Sequence, residues 1–128
     1  MAAPVGTRIR SRQRALSTPS YNSWMDKLAL LNQILAQNPT DAFARYGLAM
    51  ELVSQSRIED GLKEFARCIA DNPDYVPAYQ MSAQTMAAHG QTDAALTRLH
   101  EGIAAANRTR NQHALAEMEA LREDLSAG

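Results

Sequence analysis

Apolar residues recur at helical spacing along this chain, in blocks separated by polar or proline-bearing breaks. Trp24, Leu28, Leu31 and Leu35 stand at i, i+4, i+7 and i+11 with Ile34 beside them, one apolar stripe on a helix over about 23–37. Ser23 followed by Asp26 reads as a capping-box-like start, and Pro39 forces Asn38 out of the helical region and stops continuation. A second helix over 41–54, capped by Thr40, turns Ala42, Leu48, Ala49 and Leu52 inward. Ser56 with Glu59 forms another capping box and opens a third helix, 57–71, whose buried side is Ile58, Leu62, Phe65, Cys68 and Ile69. After Asn72-Pro73, Asp74 caps a fourth helix over 75–88, which tolerates Pro77 in its first turn and ends at His89-Gly90. The fifth, 91–106, buries Ala95, Leu96, Leu99 and Ile103, and Asn107-Arg108-Thr109 breaks it. The sixth, 110–125, puts Leu115, Met118, Leu121 and Leu125 on one face and Glu117, Glu119, Arg122, Glu123 and Asp124 mostly outside. The fold class predicted is all-α.

The blocks repeat. Compared with itself at a lag of 34, the chain matches Ala36 to Ala70, Asn38 to Asn72, Pro39 to Pro73, Ala44 to Ala78, Ala49 to Ala83, Leu62 to Leu96 and Ile69 to Ile103. The caps Thr40 and Asp74 coincide as well. A lag that keeps cap, small residue, large apolar residue and terminator together marks a stacked helical-hairpin repeat.

On these residues the chain resembles the tetratricopeptide repeats. Leu48-Ala49 and Ser82-Ala83 stand where that family has a large then a small residue on the first helix. Gly61, Phe65 and Cys68, then Ala95, Leu99 and Gly102, stand where its second helix has small, large and small residues. Pro39 and Pro73 close their units, whereas Asn107 replaces the third proline and Ser82 is small where leucine is usual. Residues 23–39 match a second-type helix alone, and 110–126 look like a terminal capping helix. The resemblance implies a right-handed superhelical stack of antiparallel hairpins and a protein-interaction adaptor or scaffold. It also implies a concave groove lined by Phe43, Tyr46 and Met50 from one unit and Gln80, Met81 and Gln84 from the next. That set suits an apolar peptide or amphipathic helix, since methionine and aromatic side chains adapt in shape while burying area. Relatives that clamp an acidic chaperone C-terminus use Lys, Arg and Asn there; only Arg45 is near, which disfavours that ligand class. Self-association through the groove or the Trp24 end is the alternative to a separate peptide partner.

Composition agrees with helices: aromatics are 5% of the chain, while alanine, leucine and methionine are plentiful. The single Cys68 excludes an internal disulfide framework. Residues 1–22 are read as a disordered basic arm, with Arg8, Arg10, Arg12 and Arg14 and no acid. Three roles are open for it: an organelle-targeting segment, an arm touching an acidic partner or nucleic acid, or no role at all with Met25 as the start. The rest carries 9 basic against 14 acidic side chains, which disfavours nucleic-acid binding by the folded part. There is no apolar run of membrane-spanning length, and a cytoplasmic protein is expected.

Candidate chemistry is sparse. His89, His100 and His113 lack the i, i+4 spacing of a metal-binding helix, Cys68 falls on a packing face, and the glycines form no phosphate-cradling loop. Glu117, Glu119, Glu123 and Asp124 read as a solvated face. The expectation is a non-enzymatic protein with no cofactor, metal or small-molecule substrate.

Overall fold

The computed structural model describes residues 19–128, and the side chains from 25 on. These residues form α1 (Pro19–Gln37), α2 (Ala42–Ser54), α3 (Ile58–Asp71), α4 (Val76–Ala88), α5 (Thr92–Thr109) and α6 (Gln112–Ala127), with no strand among them. Each helix packs on the next, and α2, α4 and α6 also touch one another in sequence, so two hairpins (α2–α3 and α4–α5) stack between an outer α1 and an outer α6.

Small residues set how closely the hairpins close. A Cβ added to Gly61 would lie 2.6 Å from Val53 Cγ2 and 3.0 Å from the Ala49 carbonyl, so α2 and α3 meet there with no room for a methyl group. One repeat later Ala95 is fully buried against α4. At Gly102 an added Cβ would come within 2.7 Å of both Tyr79 Cβ and Met118 Sδ, which places α5 between α4 and α6. The largest side chains without solvent exposure are Phe65, Leu99 and Met118. Phe65 and Leu99 are themselves one repeat apart.

Several ends differ from the sequence expectation. Helix α1 begins at Pro19 rather than Ser23, because proline needs no helical acceptor in a first turn; the basic arm expected over 1–22 otherwise lies outside the described residues. Asp41, not Thr40, caps α2 by accepting from Ala44 N at 2.8 Å. The expected Ser56–Glu59 box does not form: Ser56, at φ 64°, is the left-handed residue that ends α2, and Arg57 takes the N-cap position without a side-chain bond. Asp74 does not cap α4, whose N-cap is Tyr75; its carboxylate instead accepts from Arg108 Nε at 3.0 Å. Without a proline at Asn107, α5 runs on to Thr109 and ends on left-handed Arg110, after which Asn111 caps α6.

The terminal helices are less covered. Among the described side chains of α1 only Leu35 is buried, while Met25, Leu30 and Ile34 are exposed. Leu31 lies over Gly47, where a Cβ would be 3.2 Å from its Cδ2.

Candidate interaction groove

Phe43, Tyr46 and Met50 follow one another at i, i+3 and i+7 on α2, one face of the helix. Tyr46 is half-buried and meets two rings edge-on: Phe65 below at 5.9 Å and Tyr75, just before α4, at 5.7 Å. Met50 and Met81 pack partly on the same cluster, formed by Phe65, Ala78 and Met86. Phe43 is different, at 75% exposed, and is the most open large apolar side chain described. On α4, Gln84 is exposed and Gln80 donates Nε2 to Glu117 Oε1 of α6 at 3.2 Å. Thus α2 supplies aromatic and thioether groups, α4 supplies amides and a thioether, and α6 adds a carboxylate.

Burial raises the Tyr46 and Tyr75 hydroxyl pKa values, with smaller additions from nearby Cys68. Burial also pushes the Cys68 thiol up to about 11, against a partial opposing pull from Arg45. The thiol therefore stays protonated and donates to the Ala42 carbonyl at 3.5 Å, holding the start of α2 on α3. Arg45 is itself buried. Its Nη1 donates to Glu64 Oε1 at 2.6 Å and its Nη2 to the Pro39 carbonyl at 2.9 Å, leaving Nε without an acceptor.

Asn72 was legible only as punctuation before Pro73. Its side chain spans the repeat junction, donating Nδ2 to the Thr40 carbonyl at 3.0 Å. Together with Ala42, Asp71, Pro73, Asp74 and Tyr75 it lines an open cavity of about 420 Å³ at the start of α2. Tyr75 and Glu117 were also not foreseen as groove residues: Tyr75 precedes its helix and Glu117 looked like one of several solvated acids.

Among the described residues no three His, Cys, Asp or Glu side chains are grouped to hold a metal ion. His89 Nδ1 lies 2.9 Å from the Thr85 carbonyl, and His113 Nε2 is 3.0 Å from Glu117. No helix among the described residues is long and apolar enough to cross a membrane.

No family model and no curated protein matches the chain. Solved structures do. A tetratricopeptide repeat domain protein from Salinibacter ruber is 27% identical, with 70% of this chain and 91% of that one covered at a TM-score of 0.66. The chain has the tetratricopeptide-repeat fold. The TPR2B domain of yeast Sti1, in a complex with pHsp70, superposes over 92% of this chain and 94% of its own at a TM-score of 0.74 and 18% identity. PcrH, in complex with the chaperone binding region of PopD, does so over 95% and 92% at 0.74 and 16%. Within this tetratricopeptide-repeat stack α2 and α4 are the first helices of complete units and α3 and α5 the second. Helix α1 packs on α2 ahead of the first complete unit, with Leu30 and Ile34 exposed.

Proposed function

We propose that this chain is a protein-interaction module that takes the apolar side of a peptide or helix between α2, α4 and α6, in a groove formed by Phe43, Tyr46, Met50, Gln80, Met81 and Gln84. The observation that carries this reading is Phe43, three-quarters exposed beside half-buried Tyr46 and Met50. A large apolar side chain held in solvent next to an aromatic and a thioether is what a docking anchor requires before its partner arrives. That Sti1 TPR2B and PcrH are solved with pHsp70 and a PopD region supports a binding role on this fold. Binding rather than catalysis fits a site whose polar groups are amides, a hydrogen-bonded carboxylate and a protonated thiol.

The test is affinity purification with wild-type bait, Phe43→Ala bait and Phe43→Ala/Met50→Ala bait, each checked by thermal unfolding. Partners lost from the variants while the melt of Phe43→Ala is unchanged are expected. Equal recovery on all baits removes the groove from consideration.

A second reading is favoured by the α1 face, where Leu30 is 55% and Ile34 38% exposed. Two copies pairing through these faces would cover them. Light scattering that finds a monomer at every usable concentration disposes of that reading.

A further inference from the structure

We infer that the docking surface continues past Phe43 onto α1, where Leu30, Leu31 and Ile34 form with Phe43 and Gly47 a seat for an amphipathic helix supplied by the partner; this rests on the groove reading above. Contacts between α1 and α2 fix which residues share that side. Leu31 Cδ2 lies 3.2 Å from where a Gly47 Cβ would stand, and one turn away Lys27 pairs with Glu51 at 3.2 Å. Those two contacts make the helices antiparallel, so the next turn in the other direction brings Ile34 of α1 and Phe43 of α2 to the same side. Leu30 stands one turn before Ile34 on that face. Three of the four exposed large apolar side chains among the described residues, Leu30, Ile34 and Phe43, thus gather about the Leu31–Gly47 contact.

The next unit shows what such a side holds. At the repeat lag, Leu31 and Ile34 stand where α3 has Phe65 and Cys68. On α3 those residues hold a helix, α2: Tyr46 meets Phe65 edge-on at 5.9 Å, and Cys68 Sγ donates to the Ala42 carbonyl at 3.5 Å. Ala49 and Val53 complete the contact at Gly61. Helix α2 thus turns Ala42, Tyr46, Ala49 and Val53, at i, i+4, i+7 and i+11, toward α3. Where α3 has Gly61, α1 has Lys27, drawn aside to Glu51, so the close crossing is not repeated. The occupant is therefore a helix with apolar residues at i, i+4 and i+7 that lies less closely at the Lys27 end. Its contacting face is uncharged. From Leu28 to Gln37 α1 has no ionisable residue, and Arg45 is buried on Glu64, so a charge laid on the seat would lose water without gaining a counter-ion. Exposed Asp26 and the Lys27–Glu51 pair mark the seat's end. A second copy offers no such stripe beyond Leu30 and Ile34 themselves: apart from Met25 and Phe43, no other large apolar side chain is exposed among the described residues.

The experiment uses the full chain and a fluorescein-labelled synthetic peptide of alanine and glutamine with Leu at i, i+4 and i+7, read by fluorescence anisotropy at low and raised salt. A control peptide has the same composition with its Leu residues out of helical register. The striped peptide is expected to bind about tenfold more tightly than the control, and raised salt should leave that ratio unchanged. Leu30→Gln/Ile34→Gln should remove the advantage with an unchanged thermal melt, because both side chains are exposed. Phe43→Ala should weaken the striped peptide about fivefold. The inference is overturned if the two peptides bind alike, if Leu30→Gln/Ile34→Gln or Phe43→Ala leaves binding as it was, or if neither peptide binds, as when residues before Pro19 already fill the seat. Light scattering that finds a dimer dissolved by Leu30→Gln/Ile34→Gln makes the occupant a second copy and overturns it too. Adding Leu30→Gln/Ile34→Gln as a bait in the purification above separates the two readings. Partners kept on that bait but lost from Phe43→Ala/Met50→Ala sink the α1 seat and leave the groove, whereas partners kept on every bait remove the groove itself.

Discussion

Arg45 in the α2–α3 hairpin and Tyr79 in the α4–α5 hairpin stand one repeat apart, and each donates to the carbonyl of the proline that closes the preceding unit. Arg45 reaches Pro39 O at 2.9 Å and Tyr79 reaches Pro73 O at 2.7 Å. What is kept between the repeats is the satisfied carbonyl at the junction; the side chain that satisfies it is free to change. The change has consequences for charge. The arginine is 6% exposed and needs Glu64 as counter-ion, with one N–H still unmet. The tyrosine is neutral and needs nothing further, and Pro73 O gains a second donor in Arg108 Nη2 at 3.1 Å. The position of Glu64 is taken in the second hairpin by Arg98, which donates to buried Ser82 Oγ at 3.0 Å. The first hairpin thus holds its junction with a buried ion pair and the second with a buried neutral hydroxyl helped by the exposed Arg108.

The largest expected effect breaks the more vulnerable of the two. Arg45→Ala strands the Pro39 carbonyl and leaves Glu64 without its partner, a loss of about 3 kcal/mol in denaturant unfolding, the lower end for a disrupted buried pair because Glu64 is partly solvated. Next comes the hairpin crossing. Gly61 opposes Val53 in the first hairpin, and the matching pair in the second is Ala95 with Ala87, so a methyl group on one helix is balanced by a smaller side chain on the other. Gly61→Ala should cost about 2 kcal/mol by overpacking. Adding Val53→Ala, which installs the second hairpin's pair, should recover at least half of it, a coupling of about 1 kcal/mol in a double-mutant cycle. Purely additive costs would mean that the crossing is not set by these two side chains.

How far the chain could be read without coordinates follows from which forces are local. Apolar spacing and the two Asn-Pro pairs revealed the helices and the repeat, because periodicity and proline act within a few residues. Caps were harder. Ser56 looked like an N-cap because Glu59 follows at the right spacing, yet the end of α2 claims it as a left-handed residue, the position occupied one repeat later by Gly90. Comparing Ser56 with Gly90 at the repeat lag would have revealed this. The groove residues of α2 and α4 were named from family resemblance, and the coordinates place them where described above. Glu117 and Tyr75 were missed because their roles depend on where α6 and the α3–α4 connection come to rest, which no local pattern encodes. The engagement of Arg45 was missed for the same reason: its partner Glu64 is on another helix.

A smaller effect sharpens the junction comparison. Tyr79→Phe keeps the buried ring and removes one hydrogen bond, and because Arg108 still donates to Pro73 O, the expected loss is about 1 kcal/mol. Measured beside Arg45→Ala under the same denaturant, it should be the milder change by a clear margin. Equal losses would show that the buried charge makes no difference to how a junction is held.

The smallest expected effect runs the other way and compares the two hairpin turns. Ser56 and Gly90 occupy equivalent positions with φ 64° and 77°. The following amides close the same bond in each turn: Arg57 N to Leu52 O and Gln91 N to Met86 O, both 2.9 Å. Only the serine carries a Cβ into the left-handed region, at a cost of about 1 kcal/mol. Ser56 is exposed, and no side-chain hydrogen bond holds it there among the described residues. Ser56→Gly should therefore raise stability by about 0.5 kcal/mol once glycine's greater freedom in the unfolded chain is subtracted, and Gly90→Ser should lower it by a similar amount. Unfolding curves of the two variants should move in opposite directions. If both move down, the turns are not equivalent, and the repeat symmetry ends at the hairpin tips.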